Sequence, residues 1–443
     1  MGSPTAEQAT DILIIGAGPA GLAAAAEASR WSGSGTRVTL LDENPWAGGQ
    51  IWRPAGGQRE SPDVRTLLDE CRERGVVRLT EMRIVAPLAP GVLLAEGPAG
   101  PIVLRYRRLI LATGARERFL PFPGWTLPGV YGAGGLQALV KGGLPIEGRR
   151  VVVAGSGPLL LAVAATLRRV GARVLLLAEQ APLSRMVSFG AGLAGHPRKV
   201  GQLLSLSWQL RGIPRHFGCY PVAAEGEERL TAVRLRSGAR EWTLPCDALA
   251  CGFHLLPNTE LASLLGCRLD ASGVVAVDRR QRTSVAEVFA VGEAAGIGGL
   301  ETALIEGRLA GRVAAGAGEE AVEPLLGPRD RARRFAARLE RAFALRKELR
   351  QMATGETIVC RCEDVTLGRL QRWSDWRSAK LQTRCGMGPC QGRICSPAVH
   401  FLLGWKEASS SSVRPPVLPA RVETLLALAL SSSEESEATN VSV

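Results

Sequence analysis

Residues 11–30 read DILIIGAGPAGLAAAAEASR. An apolar strand, a glycine turn and an alanine-rich helix follow one another without a break. The spacing Gly16-x-Gly18-x-x-Gly21 is weak evidence in isolation and strong evidence between a strand and a helix. Gly16 permits the tight turn, Gly18 lets a pyrophosphate approach the backbone, and Gly21 lets helix and strand pack closely. Pro19 and Ala20 open the helix, whose N-terminal N–H groups and dipole favour phosphate. The next strand, TRVTLLDEN at 36–44, ends on acids. Asp42 is placed to accept hydrogen bonds from ribose 2′- and 3′-hydroxyls, with Glu43 as the alternative. The acid comes somewhat later than the usual ~20 residues, because WSGSGT at 31–36 lengthens the loop before the strand.

Further along, GGQIWR at 48–53 carries Gly49 and Gln50 just past the acidic strand end. RLILATGARE at 108–117 is an apolar strand running into Ala112-Thr113-Gly114, and VFAVGEAAG at 288–296 sets Gly292-Glu293 at another strand end. Between them, RRVVVAGSGPLLLAVAATLRRVGARVLLLAEQ at 149–180 repeats strand, glycine turn, helix and strand. The chain therefore contains an internal duplication of a nucleotide-binding βαβ unit. The copy keeps Gly155 and Gly157 but has Leu160 where a small residue is needed for close helix–strand packing. Its second strand ends Ala178-Glu179, and no basic pair follows to receive a 2′-phosphate. Three occupants stay open for this copy: a nicotinamide dinucleotide, another adenine nucleotide such as ATP, or none.

After Gly318 the texture changes. RDRARRFAARLERAFALRKELRQ at 329–351 predicts a basic helix with Phe335, Leu339, Ala342 and Leu349 on roughly one face. Such a helix suits a membrane surface or a connector packed on a neighbouring domain; the connector is the expectation. Cys360-x-Cys362 in CRCEDV and Cys390-x4-Cys395 in TRCGMGPCQGRIC then offer four thiolates from two loops, with Cys385 as a fifth. Soft thiolates favour zinc or iron–sulfur. A one-residue gap is unusual for structural zinc and suits neighbouring sulfurs on one iron of a [2Fe–2S] cluster. VETLLALALS at 422–431 predicts a short docking helix, and SSSEESEATNVSV a low-complexity, disordered tail.

Bulk composition narrows the function classes. At 443 residues the chain can hold two or three domains, and its 46% hydrophobic and 22% charged content is ordinary for a globular protein. The net charge of +12 is carried almost wholly by scattered arginine. No aromatic-interleaved fingerprint accompanies it, so nucleic acid is not an expected partner. No apolar run approaches the ~20 residues that span a bilayer. Cys71, Cys219, Cys246, Cys251 and Cys267 are widely spaced and read as buried reduced thiols. Cys246 and Cys251 have CxxxxC spacing, and no CxxC pair occurs among the five. The N-terminal MGSPTAEQAT lacks a secretory pattern, so a cytoplasmic location is expected, with contact to the inner face of the membrane as a variant. His196, His216, His254 and His400 pair with no carboxylate in a recognisable acid–base motif, and no catalytic residue is assigned.

In this order the glycine turns, GGQIWR, the Ala-Thr-Gly turn and the late Gly-Glu pair resemble the two-dinucleotide-binding-domain flavoproteins of the glutathione-reductase-like type, over roughly residues 10–318. That resemblance implies an α/β fold with duplicated Rossmann-type units. The first turn would hold the ADP half of FAD, Ala112-Thr113-Gly114 would run beside the flavin, and Gly292-Glu293 would hold the ribitol. Glu293 stands where that family has aspartate. The resemblance also implies the domain plan: a first FAD segment at 10–140, an inserted NAD-like domain at 141–255, an FAD return segment at 256–318 and a helical linker at 319–355.

The segment 356–410 resembles the small helical bacterioferritin-associated ferredoxin-like domain, with a tail at 411–443. In the glycerol-phosphate type of that domain the cluster ligands correspond to Cys360, Cys362, Cys390 and Cys395, with Cys385 beside Cys390 as the competing pairing. The whole combination, with ACGFHLLPNTELASLLGC at 250–267, resembles the α subunits of dye-linked, multi-subunit amino-acid dehydrogenases. That group includes the hydroxyproline and proline dehydrogenases, the opine oxidases and hydrogen cyanide synthase. It implies a partner β flavoprotein of the D-amino-acid-oxidase type that oxidises the C–N bond, often a small ferredoxin-like γ chain, and FMN at a subunit interface. The chain itself would carry electrons through FAD and a [2Fe–2S] cluster to an external acceptor. The rival expectations are a self-contained NAD(P)H-dependent reductase and a non-enzymatic assembly subunit.

Overall fold

The computed structural model describes residues 6–54, 60–192, 197–405 and 413–429. Two compact units divide the chain: 1–116 with 257–336 and 409–443, and 117–256 with 337–408. The chain leaves the first unit after Arg116, earlier than the boundary at 140 expected from the sequence. The cysteine-rich segment belongs to the same unit as the second βαβ copy.

In the first unit the opening strand, Ala6–Ile15, lies between Val38–Leu41 and Gly100–Leu111, parallel to both. Val77–Leu79 extends the parallel side, and Val288–Ala290 adds alongside Gly100–Leu111. Arg83–Ala89 and Val92–Gly97 complete the seven-stranded sheet in antiparallel pairing. Every residue of Val38–Leu41 is buried, and its one polar side chain, Thr39, is satisfied by Thr10 at 3.0 Å. The helix Pro19–Trp31 packs backbone-close on Gly299–Ala315. A Cβ on Gly307 of the latter would sit 2.1 Å from the Ala20 carbonyl oxygen, so the run of alanines and the facing glycine are one packing device. Glu27 and Arg312 tie the same two helices at 2.7 Å.

The second unit repeats the plan. Arg173–Glu179, Arg150–Ser156 and Ala248–Phe253 form the centre of a five-stranded sheet, flanked by Arg215–Phe217 and Val130–Gly132, all parallel. A three-stranded antiparallel sheet, Cys219–Glu225, Ala232–Ser237 and Arg240–Pro245, packs beside it. The cysteine-rich segment adds a short hairpin of Ile358–Cys360 with Val365–Thr366 and the helices Leu367–Leu370, Trp376–Thr383 and Cys395–Leu403. It shares a hydrophobic core with the sheet through Leu349, Met352 and Ala398, and Trp125 Nε1 donates to the Ile358 carbonyl at 2.6 Å.

The basic helix differs from its sequence reading. It runs Glu319–Ala342 with Pro324 and Pro328 inside it, and a separate 3₁₀ turn covers Lys347–Gln351. The sequence expectation placed it at 329–351. Tertiary packing decides both ends: Val322 and Leu326 bury against Leu309, and at Phe343 the backbone turns into the second sheet. Leu339 and Ala342 pack with Ala181 and Phe189. Residues 422–429 are helical. Glu96, buried, accepts from the Arg421 N–H and the Thr424 hydroxyl, both at 2.7 Å, which docks that segment on the first unit. The terminal serine- and glutamate-rich stretch and His196 lie outside the described residues. Cys71, Cys219, Cys246, Cys251 and Cys267 are all buried free thiols; burial pushes the first three up to about 12.

Candidate redox site

The first glycine turn is locked by sterics. Gly16 has φ +106°, and a Cβ there would lie 2.2 Å from the Ala112 carbonyl oxygen. The Ala112-Thr113-Gly114 turn therefore abuts the glycine turn with no room for a side chain between them. A Cβ on Gly21 would fall on the Gly16 carbonyl at 1.7 Å, so both spacings of the motif are required by this backbone. Pro19 and Ala20 form the buried first turn of the helix. Asp42 closes the arrangement from the second strand: one carboxylate oxygen accepts from the Ala17 N–H at 2.5 Å. The other accepts from the Asn44 backbone and side-chain N–H groups at 2.8 Å. Glu43 stands next to it on the exposed side, its carboxyl raised above the usual range by desolvation and by Asp42. Gly49 folds its backbone against Gly18, with Gln50 following.

The opposite wall is the return segment. Thr113 donates its hydroxyl to the Asn258 carbonyl at 2.6 Å, and Asn258 Nδ2 returns a bond to the Thr113 carbonyl at 3.0 Å. Gly292 donates its N–H to Glu306 at 3.0 Å, and Glu306 is held by Arg333. The Glu293 carbonyl accepts from the Gly296 N–H at 3.2 Å, whereas its carboxyl is raised above the usual range by burial alone. A desolvated carboxylate without a donor fits a polyol chain, and the glycine turn at the helix N-terminus fits a pyrophosphate. The residues thus fit FAD, with the sequence-expected set gathered at the carboxyl ends of the parallel strands, where open α/β sheets bind ligands. Asn258, Glu306 and Arg333 were not singled out from the sequence; they support the site from behind, and no motif marks them.

The second glycine turn has the same backbone and a different filling. Gly155 has φ +133° and touches the Gly252 backbone. Glu179 accepts from the Gly157 and Ala181 N–H groups, each at 2.8 Å, and burial raises its carboxyl to about 7. Ser156 and Gln180 both turn to the carbonyl of Phe343.

The five C-terminal cysteines converge. The sulfurs of Cys360, Cys385 and Cys395 all lie within 4.8 Å of one another and are buried. Cys362 is exposed and 3.9 Å from Cys390, and Cys385 is 3.9 Å from Cys395. Hydrogen bonding from Cys395, with help from the Ile394 and Gly392 N–H groups, lowers Cys390 to about 5, while hydrogen bonding to Cys385 and Cys390 raises Cys395. The close approach depends on Gly388, where a Cβ would lie 2.3 Å from that of Cys362. Arg384, in the left-handed conformation at φ +65°, ends the helix Trp376–Thr383 and pairs with Glu363 at 2.8 Å. A donor set of soft thiols on glycine-rich backbone fits an iron–sulfur cluster. Two members of the expected quartet, Cys360 and Cys395, share the buried group with Cys385, while the other two, Cys362 and Cys390, approach each other. Sequence spacing underweighted Cys385, because its proximity to Cys360 arises only when the glycine hairpin doubles back.

Comparison with known proteins places this geometry. Residues 10–315 match the family described as pyridine nucleotide-disulphide oxidoreductase. An opine oxidase subunit of Rhizobium meliloti (strain 1021) is 34% identical over 92% of this chain and 96% of its own. Hydrogen cyanide synthase subunit HcnB of Pseudomonas aeruginosa is 32% identical over 86% of this chain and 90% of its own. Among solved structures, L-proline dehydrogenase from P. horikoshii superposes with a TM-score of 0.64 at 19% identity, covering 96% of this chain and 81% of that one. That level of identity supports the fold alone. Among the described residues no helix is long and apolar enough to cross a membrane. With an intact first dinucleotide turn, a duplicated second one and a five-thiol cluster in one polypeptide, the chain belongs to the pyridine nucleotide-disulphide oxidoreductase family, alongside subunits of opine oxidase and hydrogen cyanide synthase.

Proposed function

We propose that this chain is the electron-transfer flavo-iron–sulfur subunit of a heteromeric amino-acid or opine dehydrogenase. The observation that carries the reading is the pairing of a complete FAD cradle with a convergent thiol cluster, while the second nucleotide fold holds the chain's own Phe343. Gly16, Gly18, Pro19, Ala20, Gly21 and Asp42 hold the dinucleotide, and Ala112-Thr113-Gly114 with Gly292 and Glu293 hold the flavin half. Four of Cys360, Cys362, Cys385, Cys390 and Cys395 hold the cluster, with Cys360, Cys362, Cys390 and Cys395 as the assigned set. Flavin supplies exchange between two-electron and one-electron chemistry, and a thiolate-held cluster supplies one-electron carriage.

The relatives' names describe subunits of larger enzymes, which supports a partner that carries the substrate site. We assign that partner to the D-amino-acid-oxidase type of flavoprotein; an interfacial FMN and a small ferredoxin-like subunit complete the assembly. The second nucleotide fold takes no part in hydride transfer. The work of this chain's own residues is to position cofactors, exclude water from them and tune their potentials.

The test is purification of the chain alone and with co-expressed partner subunits. The isolated chain is expected to show flavin and iron–sulfur absorbance and negligible oxidation of imino or amino acids, with activity appearing on reconstitution. Rapid anaerobic bleaching of the isolated chain's flavin by NADH, or strong amine oxidation without a partner, would overturn the assignment.

A further inference from the structure

The second dinucleotide fold ends its three central strands at Ser156, Glu179 and Phe253. In open α/β sheets the crevice at these carboxyl ends receives the ligand. Here a segment of the same chain lies across it. The carbonyl oxygen of Phe343 accepts from Ser156 Oγ at 2.9 Å and from Gln180 Nε2 at 3.1 Å, and it lies 2.8 Å from His254 Nε2. One residue from each of the three strand ends thus addresses a single backbone oxygen, as they would address a ligand's acceptor.

The neighbouring contacts fix the segment at both ends. Gln180, fully buried, accepts from the Arg346 N–H at 3.3 Å through its own carbonyl. Arg346 donates to the Gly218 carbonyl at 3.1 Å and stacks 5.3 Å over the Tyr220 ring. Arg185 donates to the Ala344 carbonyl at 2.9 Å. The Phe343 ring meets Phe189 edge-on at 5.9 Å, over Ala181 at the end of the second strand. His254 holds φ +73°, a conformation that non-glycine residues adopt at a cost, and its carbonyl accepts from the Arg118 N–H at 2.9 Å. Both Glu179 oxygens are engaged by backbone N–H groups. The Ser156, Gln180 and His254 side chains at the three strand ends are therefore already partnered by protein.

We propose that the ligand of the second dinucleotide fold is the chain's own segment Phe343–Arg346, which fills the crevice and excludes free nicotinamide and adenine nucleotides from it. A tethered occupant acts at an effective concentration of at least ~mM, so a free nucleotide must displace it before binding. The inference accounts for Leu160 as well. A fold that packs protein at its mouth has no need of the close helix approach that a pyrophosphate demands. Because the 3₁₀ turn Lys347–Gln351 follows directly, the fold acts as the socket that mounts the cysteine-bearing segment.

The test uses the full chain carrying its FAD and cluster. NADH, NADPH and ATP are titrated separately to millimolar concentration by calorimetry, with hydrogen exchange followed on peptides spanning residues 339–351. The wild type is expected to show no saturable binding and unchanged protection of the segment. Phe343→Ala, Phe343→Leu and Arg346→Ala are expected to expose the segment and gain nucleotide affinity, at least tenfold for Phe343→Ala and least for the conservative leucine. Wild-type binding that occurs only with loss of segment protection also upholds the mutual exclusion. Saturable wild-type binding with the segment still protected overturns it, and so does a folded variant with an exposed segment and no gain in affinity. The wild-type titration decides the matter even if the alanine variants do not fold.

Discussion

Replacing Glu306 with alanine is the sharpest probe of how the first cofactor site is supported. Glu306 is fully buried, whereas Arg333 keeps 23% of its side-chain surface. The carboxylate also accepts the Gly292 N–H at 3.0 Å, next to Glu293. Removing it leaves a half-buried guanidinium unpaired and a buried N–H without an acceptor. Breaking one side of a buried pair costs ~3–5 kcal/mol. The water contact left to Arg333 places the expected loss at the low end, about 3–4 kcal/mol. For a folding unit of this size that lowers the melting temperature by roughly 6–16 °C. The assay is thermal unfolding followed by flavin fluorescence, which reports FAD release together with the loss of fold. A second arm replaces both partners, Glu306→Leu with Arg333→Met, which removes the stranded charge. The double variant is expected to recover more than half of the loss, because paired apolar replacement of a buried ion pair is close to neutral. A single-variant shift below 2 °C, or a double variant as damaged as the two single losses added, would refute the reasoning.

Three further outcomes follow from named contacts. Gly16→Ala puts a Cβ 2.2 Å from the Ala112 carbonyl at φ +106°, so the purified variant is expected to lose most of its FAD, read as the ratio of flavin to protein absorbance. Gly388→Ala drives a methyl to within 2.3 Å of the Cys362 Cβ; iron and acid-labile sulfide content should fall severalfold while flavin content stays at the wild-type level. Glu179 carries a carboxyl raised by burial to about 7 from its usual 4.5, so the folded chain retains a proton that the unfolded chain has released. Stability then falls as pH rises from 4.5 to about 7, by up to ~3 kcal/mol. Glu179→Gln is expected to flatten that slope in melting curves taken across the window, and an unchanged slope counts against the assignment.

Much of the fold was legible because its signals are local. A short apolar run, a glycine turn and an alanine helix specify strand, turn and helix within about twenty residues, and the copy at 149–180 specifies the duplication. Leu160 announced that the copy had departed from a nucleotide site. What replaced the nucleotide was not legible. The helix expected over 329–351 runs straight through Phe343, and only the folded chain shows that it stops at Ala342 and delivers the next carbonyl to Ser156 and Gln180. Gln180 was passed over for its neighbour Glu179, because an acid at a strand end carries a ribose expectation and an amide carries none. The cysteines show the same limit. Spacing identifies loops that can supply thiolates, but the closeness of Cys385 to Cys360 depends on a turn at Arg384 with φ +65°, which sequence spacing does not encode.

The two glycine turns make the division of labour a matter of what each strand end leaves unsatisfied. At the first, Asp42 clamps Ala17 and Asn44, and the groups facing inward, Glu293 above all, keep hydrogen-bonding capacity that protein does not consume. At the second, Glu179 makes the corresponding clamp, but Ser156, Gln180 and the Arg346 backbone form a closed set with the Phe343 segment. A buried polar group binds a ligand in proportion to the capacity left open to it. On that ground we assign the first turn as a cofactor site and the second as a structural joint, although one pattern of residues announces both.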